Sequence, residues 1–190
     1  MNIRTNYENW YKGEDYYWGV EPGDFLDELI KLCPFSPGKT VLDIGCGEGK
    51  DAVYMAEQGY SVTAFDLTEN GIRKTNKLAD DRGVKVDAYV DDINEFVTDK
   101  QFDIVYSTGT VQYLFDEKKQ DFFRKLENIT KPGGIVYINV FVEKPFLELP
   151  PDWDIEEKMW RSGELFTYFA NWKVFSAMKY VVLRFNSELQ

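Results

Sequence analysis

Asp43, Gly45, Gly47 and Asp66 are the residues whose types and spacing point most directly to chemistry. Glycine accepts left-handed backbone and carries no Cβ, so a turn built on Gly45, Gly47 and Gly49 can lie directly against a bound molecule. Asp43 stands just ahead of that turn. Asp66 follows it by about 20 residues, where an acid closing a second strand can accept hydrogen bonds from both hydroxyls of a ribose. A nucleoside-bearing ligand is therefore expected. A dinucleotide would call for a third glycine at position 50, and the chain has Lys50 there. The carboxylates of Asp43 and Glu48 would also repel a pyrophosphate, whereas a cofactor with a cationic amino-acid tail and no phosphate tolerates them.

S-adenosylmethionine meets that description. The segment 41–66 resembles motif I of the class I S-adenosylmethionine-dependent methyltransferases, which implies cofactor contacts at Asp43, Gly45, Gly47 and Asp66. The resemblance runs from about Asp24 to Phe141. It implies that Asp92 accepts from the adenine amino group, with Asp91 as the alternative, and that Leu67 and Ile93 cover the two faces of the ring. Phe102 to Leu114 resembles motif IV, which lines the reacting methyl group, so Ser107, Thr108 and Tyr113 are candidates there and Ser107 is also expected to touch the cofactor. No residue stands out as a general base. Lys131-Pro-Gly-Gly134 and the stretch from Ser162 to Trp172 are most similar to the small tellurite-resistance-type methyltransferases. Trp10, Tyr17 and Trp18, within segment 1–23, resemble the aromatic lid of such enzymes. Trp153 lies in a proline-rich loop, 143–162, expected over the active site.

Strands and helices must alternate to bring these residues together. Val41, Leu42 and Ile44 form a buried run, and Tyr60 to Phe65 a second; Val84 to Val90, Phe102 to Ser107 and Ile135 to Val142 continue the series. Helical spacing fills the intervals, over 50–58, 70–81 and 116–130, with a further helix from Phe25 to Ile30 ahead of the first strand. The expected fold is one α/β domain, Rossmann-like and doubly wound, with a mostly parallel sheet and helices on both faces. Met178 to Phe185 reads as the last strand, too short a remainder for the full class I sheet, so a shortened sheet is expected.

The formal net charge of −11 argues against a polyanionic partner, because nucleic-acid affinity rests on Lys and Arg at phosphates. With no histidine and only Cys33 and Cys46, neither a metal site nor a disulfide is expected. No signal-peptide core or membrane-length apolar run is visible, so cytoplasmic residence and no membrane partner follow, as a monomer or homodimer. Methyl transfer to a small-molecule acceptor, such as a thiol or chalcogen compound, is the expected function. The alternatives are a protein or RNA methyltransferase and a non-catalytic regulator that binds the same cofactor.

Overall fold

The computed structural model describes residues 3–143, 159–170 and 172–174. Trp153 and the expected strand 178–185 lie outside the described residues, as does most of the loop 143–162. Five strands form one sheet: β1 (Thr40–Ile44), β2 (Ser61–Asp66), β3 (Val86–Val90), β4 (Phe102–Thr108) and β5 (Thr130–Asn139). Their order is β3-β2-β1-β4-β5 and every neighbouring pair is parallel. The chain winds outward from β1 through β3 and then crosses back to β4, so the direction of winding reverses between β1 and β4. Ligands of open α/β sheets settle outside the strand ends at such a reversal.

Side chains alternate across a strand, and the sheet uses the alternation to build two cores. Val41, Val62, Ala64, Ile104 and Tyr106 pack on one face with Leu26, Leu29, Ala52 and Met55, supplied by α2 (Phe25–Leu32) and α3 (Lys50–Glu57). Leu42, Ile44, Phe65 and Val105 pack on the other with Phe122, Phe123, Leu126 and Ile129 of α5 (Lys119–Ile129). Between β2 and β3 runs α4 (Glu69–Arg82), begun by a Thr68 hydroxyl that accepts from the Gly71 amide at 3.2 Å and stopped by left-handed Gly83. A short helix, α6 (Glu164–Tyr168), lies near the end of the described chain. The β5 strand begins at Thr130, earlier than the apolar run from Ile135, and its register against β4 slips between Phe102 and Ile104. Proline and glycine at 132–134 make the extra residues of that bulge.

Within segment 1–23, expected as a lid, residues Ile3–Tyr11 form a helix, α1. It crosses to α4, where the Glu8 carboxylate accepts from the backbone amides of Glu69 at 2.7 Å and Asn70 at 3.1 Å, two of the donors that a helix start leaves unpaired. The segment after α1 is pinned to the glycine loop. Glu48 and Lys74 form an ion pair at 2.6 Å with both side chains 1% exposed. Lys74 also donates to the Asp15 carbonyl and Glu48 accepts from the Trp18 amide. Removing one member of a buried pair strands the other charge, at a cost of roughly 3–5 kcal/mol, so this pair fastens the covering segment firmly to the loop beneath it.

Candidate active site

The C-terminal ends of β1, β2 and β4 open into a cavity of about 960 Å³. Of the residues expected there, Gly45, Gly47, Asp66, Leu67, Asp92, Ile93, Thr108, Tyr113 and Trp18 border it. The glycine loop forms its floor. Gly45 and Gly47 take φ of 76° and 56°, and a Cβ on Gly45 would run into the Thr110 side chain, so the turn is closed to any other residue type.

Asp66 is held firmly at the end of β2. Its Oδ2 accepts from the Gly47 amide at 2.9 Å, and its Oδ1 accepts from the Thr68 amide at 2.9 Å and the Thr68 hydroxyl at 2.6 Å. A carboxylate has about four acceptor positions, so these three bonds leave one, on Oδ2, for a ribose hydroxyl. Burial pushes the Asp66 carboxyl up from the usual range, and the Thr68 and Gly47 hydrogen bonds oppose that rise. Asp92 also has a structural share: its Oδ1 accepts from the Asn94 amide at 2.8 Å and the Asn94 side chain at 3.0 Å. The Asn94 side chain in turn donates to the Tyr113 carbonyl and accepts from the Phe115 amide, so one side chain ties the loop after β3 to the loop after β4.

Four expected residues do not border the cavity. Ser107 is buried and its hydroxyl donates to the Ile44 carbonyl of β1 at 2.9 Å, so it links two strands where it was expected to meet the methyl group. Asp43 alternates with Leu42 and Ile44 and so faces the α2 and α3 side of the sheet, beside Tyr106 and Asp51. Burial and then the Asp51 charge push its carboxyl well above the usual range, and its Oδ2 has no hydrogen-bond partner among the described residues. Trp10 and Tyr17 stack on each other at 5.4 Å, both more exposed than Tyr11 and outside the cavity.

Sequence reasoning missed Tyr7, Asn94 and Gln112. Tyr7 meets the Tyr113 hydroxyl at 2.9 Å across the mouth between α1 and the turn Val111–Tyr113. Gln112 is 2% exposed, borders the cavity and keeps an Oε1 with no partner among the described residues. A buried acceptor left open in this way suits a ligand that brings a donor, such as an ammonium or hydroxyl. The only signal for these residues in the sequence was nearness to an expected feature: the aromatic segment for Tyr7, the Asp92-Ile93 pair for Asn94 and the Thr108-Gly109-Thr110 turn for Gln112. Among the described residues no group of acidic, Cys or His side chains is arranged to hold a metal ion, and no helix is long and apolar enough to cross a membrane.

Known proteins with this arrangement are recognisable. A 171-residue stretch is 27% identical to a probable S-adenosyl-L-methionine-dependent methyltransferase TehB of Haemophilus influenzae, covering 82% of this chain and 58% of that protein. A shorter stretch of 99 residues is 34% identical to a ubiquinone biosynthesis O-methyltransferase of Rickettsia felis, covering 52% of this chain and 40% of that one. The solved structure of TehB from Haemophilus influenzae superposes with a TM-score of 0.71 at 22% identity, over 91% of this chain and 56% of that one, a likeness of fold. The chain thus spans little more than half the length of those TehB proteins. The profile of the tellurite resistance protein TehB family matches residues 7–182, and this chain belongs to that family.

Proposed function

We propose that this protein transfers a methyl group from S-adenosylmethionine to a small-molecule acceptor, a thiol or chalcogen compound among the candidates. The reading places it in the cytoplasm as a monomer or homodimer, without nucleic-acid or membrane partners. Asp66 carries the reading, because its carboxylate is locked to the Gly47 amide over the floor of the cavity and retains one acceptor position for a ribose hydroxyl. The TehB family membership and the naming of the relatives support it.

The residues present fit the cofactor. The unpartnered Gln112 Oε1 is an acceptor for the ammonium of an amino-acid tail, and the glycine turn leaves a cradle that a Cβ would fill. Asp66 would hold the ribose, Asp92 the adenine amino group, and Leu67 and Ile93 the ring faces. When bound, S-adenosylmethionine supplies a sulfonium methyl that a nucleophile displaces in line. The chain's own contribution is to orient the acceptor and exclude water: Tyr7, Tyr11, Trp18 and Tyr113 enclose the cavity, and aromatic faces attract a cationic sulfur. Thr108 ends β4 and Tyr113 closes the turn that follows it, where the acceptor would meet the methyl group.

Titration calorimetry with S-adenosylhomocysteine tests the cofactor site. Asp66→Ala should lower affinity by about 2 kcal/mol, since it removes hydrogen bonds to a charged acceptor, and unchanged affinity would remove the ribose assignment. Catalysis is tested separately with labelled cofactor and a panel of thiols, chalcogen oxyanions, phenols and amines. Binding without transfer to any of them would sink the enzymatic reading in favour of a regulator.

A further inference from the structure

Tyr11 is 2% exposed, sits on α1 and borders the cavity from above. Its hydroxyl is 2.9 Å from the Trp18 indole nitrogen. An indole N–H can only donate, so the Tyr11 oxygen is the acceptor in that bond and its own proton must go elsewhere. Among the described residues, no acceptor takes it. The position of the hydroxyl narrows the choice of target: a Cβ built on Gly47 would lie 3.2 Å from it, and the Gly47 amide is the group that donates to Asp66 Oδ2. Trp18 is itself held by the Glu48 carboxylate through its backbone amide, which keeps the indole in place and the phenol turned. Burial first, and then the Asp66 charge, push the Tyr11 hydroxyl far above the usual phenol range, so it remains a proton donor at any working pH.

A ribose hydroxyl bound to the open position of Asp66 gives its proton away. Its oxygen then presents only lone pairs, and the bond it lacks is one from a donor. We propose that Tyr11 is a second ribose-binding residue, its hydroxyl donating to a ribose oxygen whose own proton goes to Asp66. That hydroxyl is then read from both sides, by an acceptor in the floor and a donor in the roof. This rests on the cofactor reading above. It makes ribose recognition and the seating of α1 a single event.

Calorimetry or ligand competition on wild type and Tyr11→Phe tests this with three probes. S-adenosylhomocysteine has the ribose and the amino-acid tail; 5′-methylthioadenosine has the ribose alone; its 2′,3′-dideoxy counterpart lacks both hydroxyls. Tyr11→Phe keeps the ring and should weaken the first two by about five- to tenfold each, the worth of one hydrogen bond in a buried site, while the third changes by less than about twofold. Equal loss with all three would mean a loosened roof and overturn the proposal. Loss confined to S-adenosylhomocysteine would move Tyr11 to the tail, and no loss at all would remove it from the site; both also overturn the proposal. Failure of wild type to bind S-adenosylhomocysteine would instead count against the cofactor reading itself, and the inference would fall with it.

Discussion

Gly71 occupies a place where helix propensity argues for another residue. In the first turn of α4 an alanine would ordinarily gain about 1 kcal/mol over glycine. Here a Cβ would stand 2.5 Å from the Thr68 hydroxyl and 2.6 Å from the Gly47 carbonyl, and only 3.3 Å from Asp66 Oδ1. Gly71→Ala should therefore destabilise the protein by roughly 1–3 kcal/mol and weaken S-adenosylhomocysteine binding, because it pries the glycine loop from the residue proposed to hold the ribose. Denaturant unfolding and calorimetry check this, and a variant as stable as wild type would show that the loops yield freely. Gly45, Gly47 and Asp66 were legible in the sequence because a turn and a strand end are local constraints. Gly71, Asn94 and Gln112 were not, because their roles arise from neighbours brought in by the fold. Asp43 and Ser107 were expected at the ligand and are buried in or between strands. A motif's spacing places a residue at a strand end, but alternation and the partner strand decide what its side chain touches.

At the scale of elements, every strand of the described sheet was visible as a short apolar run, and α3, α4 and α5 as helical periods with glycine or threonine stops. α1 was harder to read. Ile3, Tyr7, Trp10 and Tyr11 do have helical spacing, yet the same aromatic residues suit an irregular lid, and two turns of pattern do not decide between them. The bulge in β5 was equally hidden, since a proline-glycine turn and a strand bulge have the same composition. Asp103 shows how the strands are joined at the end away from the cavity. Its Oδ2 accepts from the Thr40 amide and hydroxyl at the start of β1 and from Lys131 of β5 at 2.7 Å. Burial pushes its carboxyl up, but the Lys131 and Thr40 bonds outweigh that and bring it down to about 2. A lowered acid adds stability above its unfolded value of 3.8 and loses it as the pH falls toward about 2. Asp103→Asn should cost about 1 kcal/mol near neutrality, allowing for solvent screening at this partly open edge, and leave S-adenosylhomocysteine affinity unchanged. The stability gap to wild type should close between about pH 4 and pH 2 in acid-unfolding curves. A gap that stays constant with pH would refute the assignment.

Across the whole molecule, the contacts that seat α1 reach far along the chain. Glu8 meets Glu69 across 61 residues and Tyr7 meets Tyr113 across 106, whereas β1 is clamped on both sides within the sheet. Only Asn6 and Tyr11 of α1 are buried, against four of the five residues of β1, and segments with few buried contacts open first. Hydrogen exchange should find the amides of residues 3–11 released well before those of β1, and slowed when S-adenosylhomocysteine is bound; equal protection in the two elements would contradict this. A ligand held between Asp66 and such a roof, as proposed above, would leave only when the roof lifts, so its residence time should follow the opening rate of α1.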